Sequence, residues 1–294
     1  MPVAPISDPL SRALDEAIAG RRAALFDLLA RGSRLPGPRA HGALAEAFAQ
    51  ACRARGAAAD PLALAMARLS ADEAPGATAL EFLPLCGVLA IAHRAAADET
   101  VRANFVTELH GHADDLRFRV REAVIDGLAR IGSVTGDALV EQVAPWMDGY
   151  FHAAAVLRAL ARETWLTNVH DAARTIARLD DAFALVCNAP RAAARYPGHK
   201  ALLEALQATP PRIAVRFGVP VFDMWARWGA VADPVLRELL RASMTDAKLV
   251  GRFRTELDRV RYALDASEPP PRNPDHDHGP SRDRSGGRRR TRAR

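Results

Sequence analysis

The sequence predicts an all-α fold, an α-solenoid of helical hairpins followed by a disordered tail, and three observations carry that reading. Ala, Leu, Val and Arg dominate the 294 residues, aromatics are only 6%, and runs that could form strands are few. The segment from Asp114 to Gly132, DDLRFRVREAVIDGLARIG, places Val120, Ala123, Val124, Gly127, Leu128 and Ile131 at i, i+3, i+4, i+7, i+8 and i+11. That spacing is a single stripe on one face of an α-helix. The same offsets recur 33 residues later in Ala153, Val156, Leu157, Leu160, Ala161 and Thr164, with a weaker third copy at Leu85–Ala92. A fixed period of this size, with helices joined by short turns, is the mark of stacked repeats that share a continuous core.

Taken in order, Asp8-Pro9 signals a helix start. The pattern then runs to about Arg31, and Gly20 divides it into two short helices in tandem. The prolines in Ser33–Arg39 enforce a turn. Helices follow over about 40–55 and, after a second Asp-Pro start at Asp60-Pro61, to about Leu69; 70–77 is a loop. A very apolar helix spans about 80–96 with Pro84 in its first turn, and Asp98 caps the next, which His110-Gly111-His112 ends. Beyond the opening stripe, Leu139, Val143 and Met147 mark one helix closed by Gly149. Later helices fall at about 169–180, 181–188, 198–208, 211–229 (kinked by Pro220), 234–244 and 247–265. The chain divides into a solenoid, 1–267, and a Pro/Arg-rich tail, 268–294, too polar to offset its own chain entropy.

The formal charge of +5 sits mostly in that tail, with eight Arg against four acids, so the body is nearly neutral and not built to wrap nucleic acid. Cys52, Cys86 and Cys187 are isolated and odd in number, which indicates buried thiols and a reducing compartment. No secretory signal is visible, and the longest apolar run, Phe82 to Ala92, is shorter than the ~20 residues of a membrane span. The expected location is cytoplasmic, without membrane contact.

Val120-Arg121-Glu122-Ala123, with Leu128 and Ile131 after it and Asp114-Asp115 before it, resembles the second-helix signature of HEAT repeats. That resemblance implies a ladder between an acid in the intra-repeat turn and an Arg in the second helix, filled here by Asp115 and Arg121. The whole of 1–267 is similar to an uncharacterised bacterial HEAT-like family. The turn at Ser33–Arg39, the Val-Arg-Glu-Ala helix and Asp233–Arg261 carry the likeness. That family is in turn similar in fold to HEAT-like alkylpurine DNA glycosylases, which hold DNA on a concave face with Trp and Asp side chains. No motif ties Trp146, Asp148, Trp225 or Trp228 to those positions.

Among candidate sites, Glu108, His110, His112, Asp114 and Asp115 could ligate a metal, but helix capping and the macrodipole account for the same residues. No metal site and no cofactor is expected. Arg117, Arg119, Arg158, Arg162, Arg191 and Arg195 form a candidate anion- or partner-binding strip, because second helices line the concave face of a solenoid. Trp225 and Trp228 are a candidate stacking pair, competing with a role in the core. The Arg288–Arg294 tail could tether nucleic acid electrostatically. No nucleophile elbow, Walker loop or dinucleotide fingerprint is present. The sequence thus reads as a non-enzymatic binding or scaffold protein for a protein or other acidic partner. The alternative is a DNA-binding protein related to the HEAT-like glycosylases, and any enzymatic activity would then be glycosylase-like hydrolysis.

Overall fold

The computed structural model describes residues 7–268, and within them the chain is all-helical, with no strand. The Asp8 side chain, on which the cap signal rests, and the tail, with its expected disorder, lie outside what is described. The chain opens with α1 (Ser7–Ile18) and α2 (Ala23–Gly32), separated where Gly20 takes φ +96°, a left-handed conformation that a side chain would oppose. Then come α3 (Gly42–Arg55), α4 (Asp60–Ala67), α5 (Phe82–Ala97), α6 (Glu99–His110) and α7 (Phe118–Thr135). After them run α8 (Asp137–Gln142), α9 (Tyr150–Leu160), α10 (Glu163–Leu166), α11 (Ala172–Cys187) and α12 (Pro197–Phe217). The last four are α13 (Val219–Gly229), α14 (Pro234–Ser243), α15 (Ala247–Arg252) and α16 (Arg254–Ala266).

Caps set several of these starts. Asp98 accepts from Thr100 N at 2.9 Å as expected, and Asp171, Asp233 and Asp246 do the same for α11, α14 and α15. Asp60 does not cap: its carboxylate is taken by Arg94 Nε at 2.8 Å, across the α4–α5 contact.

Helix α5 sits at the centre of the first half, packed by α3, α4, α6 and α7. Residues Ala79–Ala97 are long and apolar enough to cross a membrane, further than the Phe82–Ala92 run suggests, yet most of that stretch is buried among the neighbouring helices. From α5 a row continues: α7 packs on α5, α9 on α7, α12 on α9 and α14 on α12, while α13 packs on α16. All six residues of the Val120 stripe are buried, and at Gly127 an added Cβ would meet Ala92 Cβ at 2.8 Å, so α7 and α5 approach closely there.

Several boundaries differ from the sequence expectation, each for a local reason. Pro145 ends the helix expected to run through Leu139, Val143 and Met147, leaving α8 and a separate 3₁₀ turn at Ala144–Asp148. The copied stripe stops at Ala161, because Arg162 turns extended (ψ 132°) and Thr164 is exposed in α10. Residues 169–188 hold one helix, α11, in place of two. Helix α12 runs through Pro210-Pro211, where Ser243 Oγ of α14 reaches 3.5 Å from the Leu206 carbonyl that Pro210 has no N–H to meet. The break comes instead at Gly218 (φ +68°), so Pro220 starts α13 where no helical N–H is missed. Phe253 divides the last helix into α15 and α16.

Candidate functional site

The row of helices α7, α9 and α12 presents a groove that begins where Phe118 and Phe151 stand near the helix starts. It is floored by Ala154, Ala155 and Ala201 and holds about 230 Å³. Gly198 lets α12 come this close, since a Cβ there would touch the Phe151 ring at 3.0 Å. Arg121 also lies over that ring, its guanidinium carbon 4.5 Å from the centroid, a cation–π stack. Arg121 donates to the Asp115 carbonyl oxygen, and not to the Asp115 carboxylate as the repeat signature implied. Burial pulls Arg121 below the usual arginine value, opposed by the charges of Asp115 and Glu122. No carboxylate among the described residues lies within ion-pair distance of it.

The expected arginine strip divides into three groups. Arg117 is buried, bidentate to Asp115 at 2.6 and 2.9 Å, with Nη1 donating to the Ser70 and Ala74 carbonyls. Arg119 is held by the buried Glu81 at 3.0 Å and by the Gly37 carbonyl. Both have their donors turned inward and are corrected to structural roles, because their carboxylate partners are part of the fold. Arg158, in the groove lining on α9, and Arg162, at the start of α10, are partly exposed, but each meets an acid of α7: Arg158–Glu122 at 2.6 Å and Arg162–Asp126 at 3.1 Å. Asp126 therefore does not pair with Arg130 along its own helix; Arg130 reaches Glu46. Arg191 and Arg195 are exposed in the 3₁₀ turn that leads into α12, with no hydrogen-bond or ion-pair partner among the described residues. Sequence spacing alone selected all six; only the acids opposite them separate the groups.

The tryptophans separate in the same way. Trp225 is fully buried in the core, which removes it as a stacking platform. Trp228 stacks on Phe183 at 5.7 Å and donates to Asp180 at 2.8 Å, so its ring and its N–H are both engaged.

The titratable cluster at the end of α6 divides, with only Glu108 and His112 staying close. Glu108 is held by Arg68 through both oxygens, at 2.7 and 2.6 Å. His112 turns into the protein with its Nε2 still 3.4 Å from Glu108 Oε1; burial pulls its ring below the usual histidine range against the pull of Glu108, and Asp115 belongs to Arg117. His110 instead meets residues about 40 positions on. Its Nε2 lies 3.0 and 3.2 Å from the Asp148 oxygens, and His152 Nδ1 lies 2.8 Å from Asp148 Oδ1. The two imidazoles stand side by side with centroids 3.9 Å apart, and the buried Trp146 meets His110 edge-on at 5.1 Å. Burial pushes the Asp148 carboxyl up, but the two imidazole hydrogen bonds outweigh it and the net shift is down. Nothing in the sequence joined His110 to this pair, although Asp148 and His152 at i, i+4 around the Gly149 helix start could have been found.

Cys52 and Cys86 are buried thiols, Cys52 pushed up to about 12 by burial and Cys86 raised as well, so neither offers a thiolate. No family model matches this chain, and neither a curated protein nor a solved structure matches it.

Proposed function

We propose that the chain is a HEAT-like α-solenoid that acts as a binding protein, taking an extended acidic segment of a partner protein into the groove between α7, α9 and α12. The row α5, α7, α9, α12 and α14, and the stripe repeated at 33 residues, support the solenoid part of the reading. The observation that carries the binding part is Arg121, half-buried on Phe151 with no carboxylate among the described residues in ion-pair distance, beside arginines that are each paired with an acid. An Arg stacked on an aromatic ring is pre-organised to meet a carboxylate with two parallel hydrogen bonds. Phe118, 59% exposed, supplies apolar surface next to it, and Arg191 and Arg195 add positive charge just before α12, while Lys200 of the lining pairs with Glu204 at 4.0 Å. A duplex-DNA surface would need several outward cations free of acids and an exposed aromatic face, and this row supports it less well.

The test is fluorescence anisotropy with a labelled Glu- and Phe-containing peptide and its Gln counterpart. The protein for it has Arg288, Arg289, Arg290, Arg292 and Arg294 replaced by Gln, to remove the tail's charge. The Glu peptide should bind, and Arg121→Ala should weaken it by about tenfold or more, the scale of a charge-assisted hydrogen bond. Equal binding of the Gln peptide, or indifference to Arg121→Ala, would sink the reading. Tighter binding of a short duplex DNA would move it to the nucleic-acid alternative.

A further inference from the structure

The fold brings together one group of ligand-bearing side chains that the groove does not use. His110 ends α6, Asp148 ends the 3₁₀ turn after α8, and His152 lies in the first turn of α9. Three separate pieces of backbone therefore aim one imidazole nitrogen, one carboxylate and a second imidazole nitrogen at a common point. All three ligand atoms lie within 4.8 Å of one another.

We propose that His110, Asp148 and His152 bind a divalent transition ion of the zinc class. A tetrahedral zinc site with bonds of about 2.0–2.1 Å sets its ligand atoms about 3.3 Å apart. From the single oxygen Asp148 Oδ1 the edges are 3.2 Å to His110 Nε2 and 2.8 Å to His152 Nδ1, and all three ligand atoms lie within 4.8 Å of one another, so side-chain rotation without backbone movement brings them around an ion. Two nitrogens with one oxygen favour zinc, cobalt or nickel over calcium or magnesium, which take oxygen ligands. Burial also suits an ion. Trp146 closes the inner side, while Asp148 is half exposed and His110 about one-third exposed, which leaves an entry path and room for water as fourth ligand. Gly149 belongs to the construction, because a Cβ there would meet His152 Nδ1 at 2.8 Å and push the ligand away. Binding replaces the hydrogens on His110 Nε2 and His152 Nδ1: each neutral ring carries its proton on the other nitrogen, and the ion takes the freed lone pairs.

The tail contains a second pair of imidazoles, His276 and His278, so the test is made on the full chain carrying His276→Ala and His278→Ala. Zinc chloride is titrated calorimetrically at neutral pH. One equivalent should bind, and His110→Ala, His152→Ala or Asp148→Asn should each weaken it by at least about tenfold, the loss typical of disturbing a metal shell. Zinc should also raise the unfolding temperature of the otherwise unaltered body and not that of the triad variants. Zinc-edge X-ray absorption on the same His276→Ala/His278→Ala chain needs no triad variant to fold, and it should report two imidazoles per zinc. Absence of stoichiometric binding, a zinc shell without histidine, or affinity unchanged in the triad variants would overturn the proposal.

Discussion

Helices α7 and α9 carry the same apolar stripe, yet they finish it in different ways. Helix α7 runs unbroken for 18 residues, whereas α9 stops at Leu160 and the chain turns at Arg162 into α10. The repeat places Trp165 of α10 opposite Gly132 of α7, 33 positions earlier, and the two pack on each other. A Cβ at Gly132 would lie only 2.2 Å from Cδ2 of the Trp165 ring, whose Nε1 donates to the Gly136 carbonyl at 3.1 Å. The polar faces are complementary as well, with Glu122 and Asp126 on α7 meeting Arg158 of α9 and Arg162 at the start of α10. Repetition at the level of the stripe thus coexists with complementarity at each contact: one copy supplies the hole or the acid, the next the knob or the base.

The largest effect is expected in the shared stripe. Leu128 is fully buried, and Leu128→Ala should lower stability by about 2–5 kcal/mol, the range for deleting a core leucine, measured by urea unfolding. A loss below about 0.5 kcal/mol, typical of surface sites, would mean the stripe is not core. Next comes the unlike pair. Gly132→Ala should cost about 1–3 kcal/mol, as overpacking does, and change the near-ultraviolet dichroism of Trp165. Part of that loss should return when Trp165→Phe is added; full additivity would break the knob-and-hole account. The smallest effect belongs to the polar complement. A double-mutant cycle on Glu122→Gln and Arg158→Gln should give a coupling of about 0.2–1 kcal/mol that shrinks as salt is raised, because both side chains are partly exposed.

Much of the helical plan was legible because it depends on local chemistry. The apolar stripes, the Asp98 cap and the division at Gly20 are each set by a few neighbouring residues. The boundaries that differed depend on contacts made elsewhere. Pro210-Pro211 stays helical with a Ser243 hydroxyl near the open Leu206 carbonyl, and no reading of α12 alone contains Ser243. The arginines illustrate the same limit. Arg117, Arg121 and Arg158 are equivalent as letters, but a buried ion pair, a cation stacked on a ring and a partly exposed ion pair differ only by what stands opposite.

By itself, then, the sequence determined the helical class, the 33-residue period and the faces that turn inward, because periodicity and capping act over one or two turns. The tertiary structure alone decided that Arg121 lines a groove whose acids, Glu122 and Glu204, pair with other bases, and that His110 joins Asp148 and His152. Those relations span about 40 residues and arise only when α6, the Ala144–Asp148 turn and α9 are packed, since side-chain partnership depends on distance in space and not along the chain.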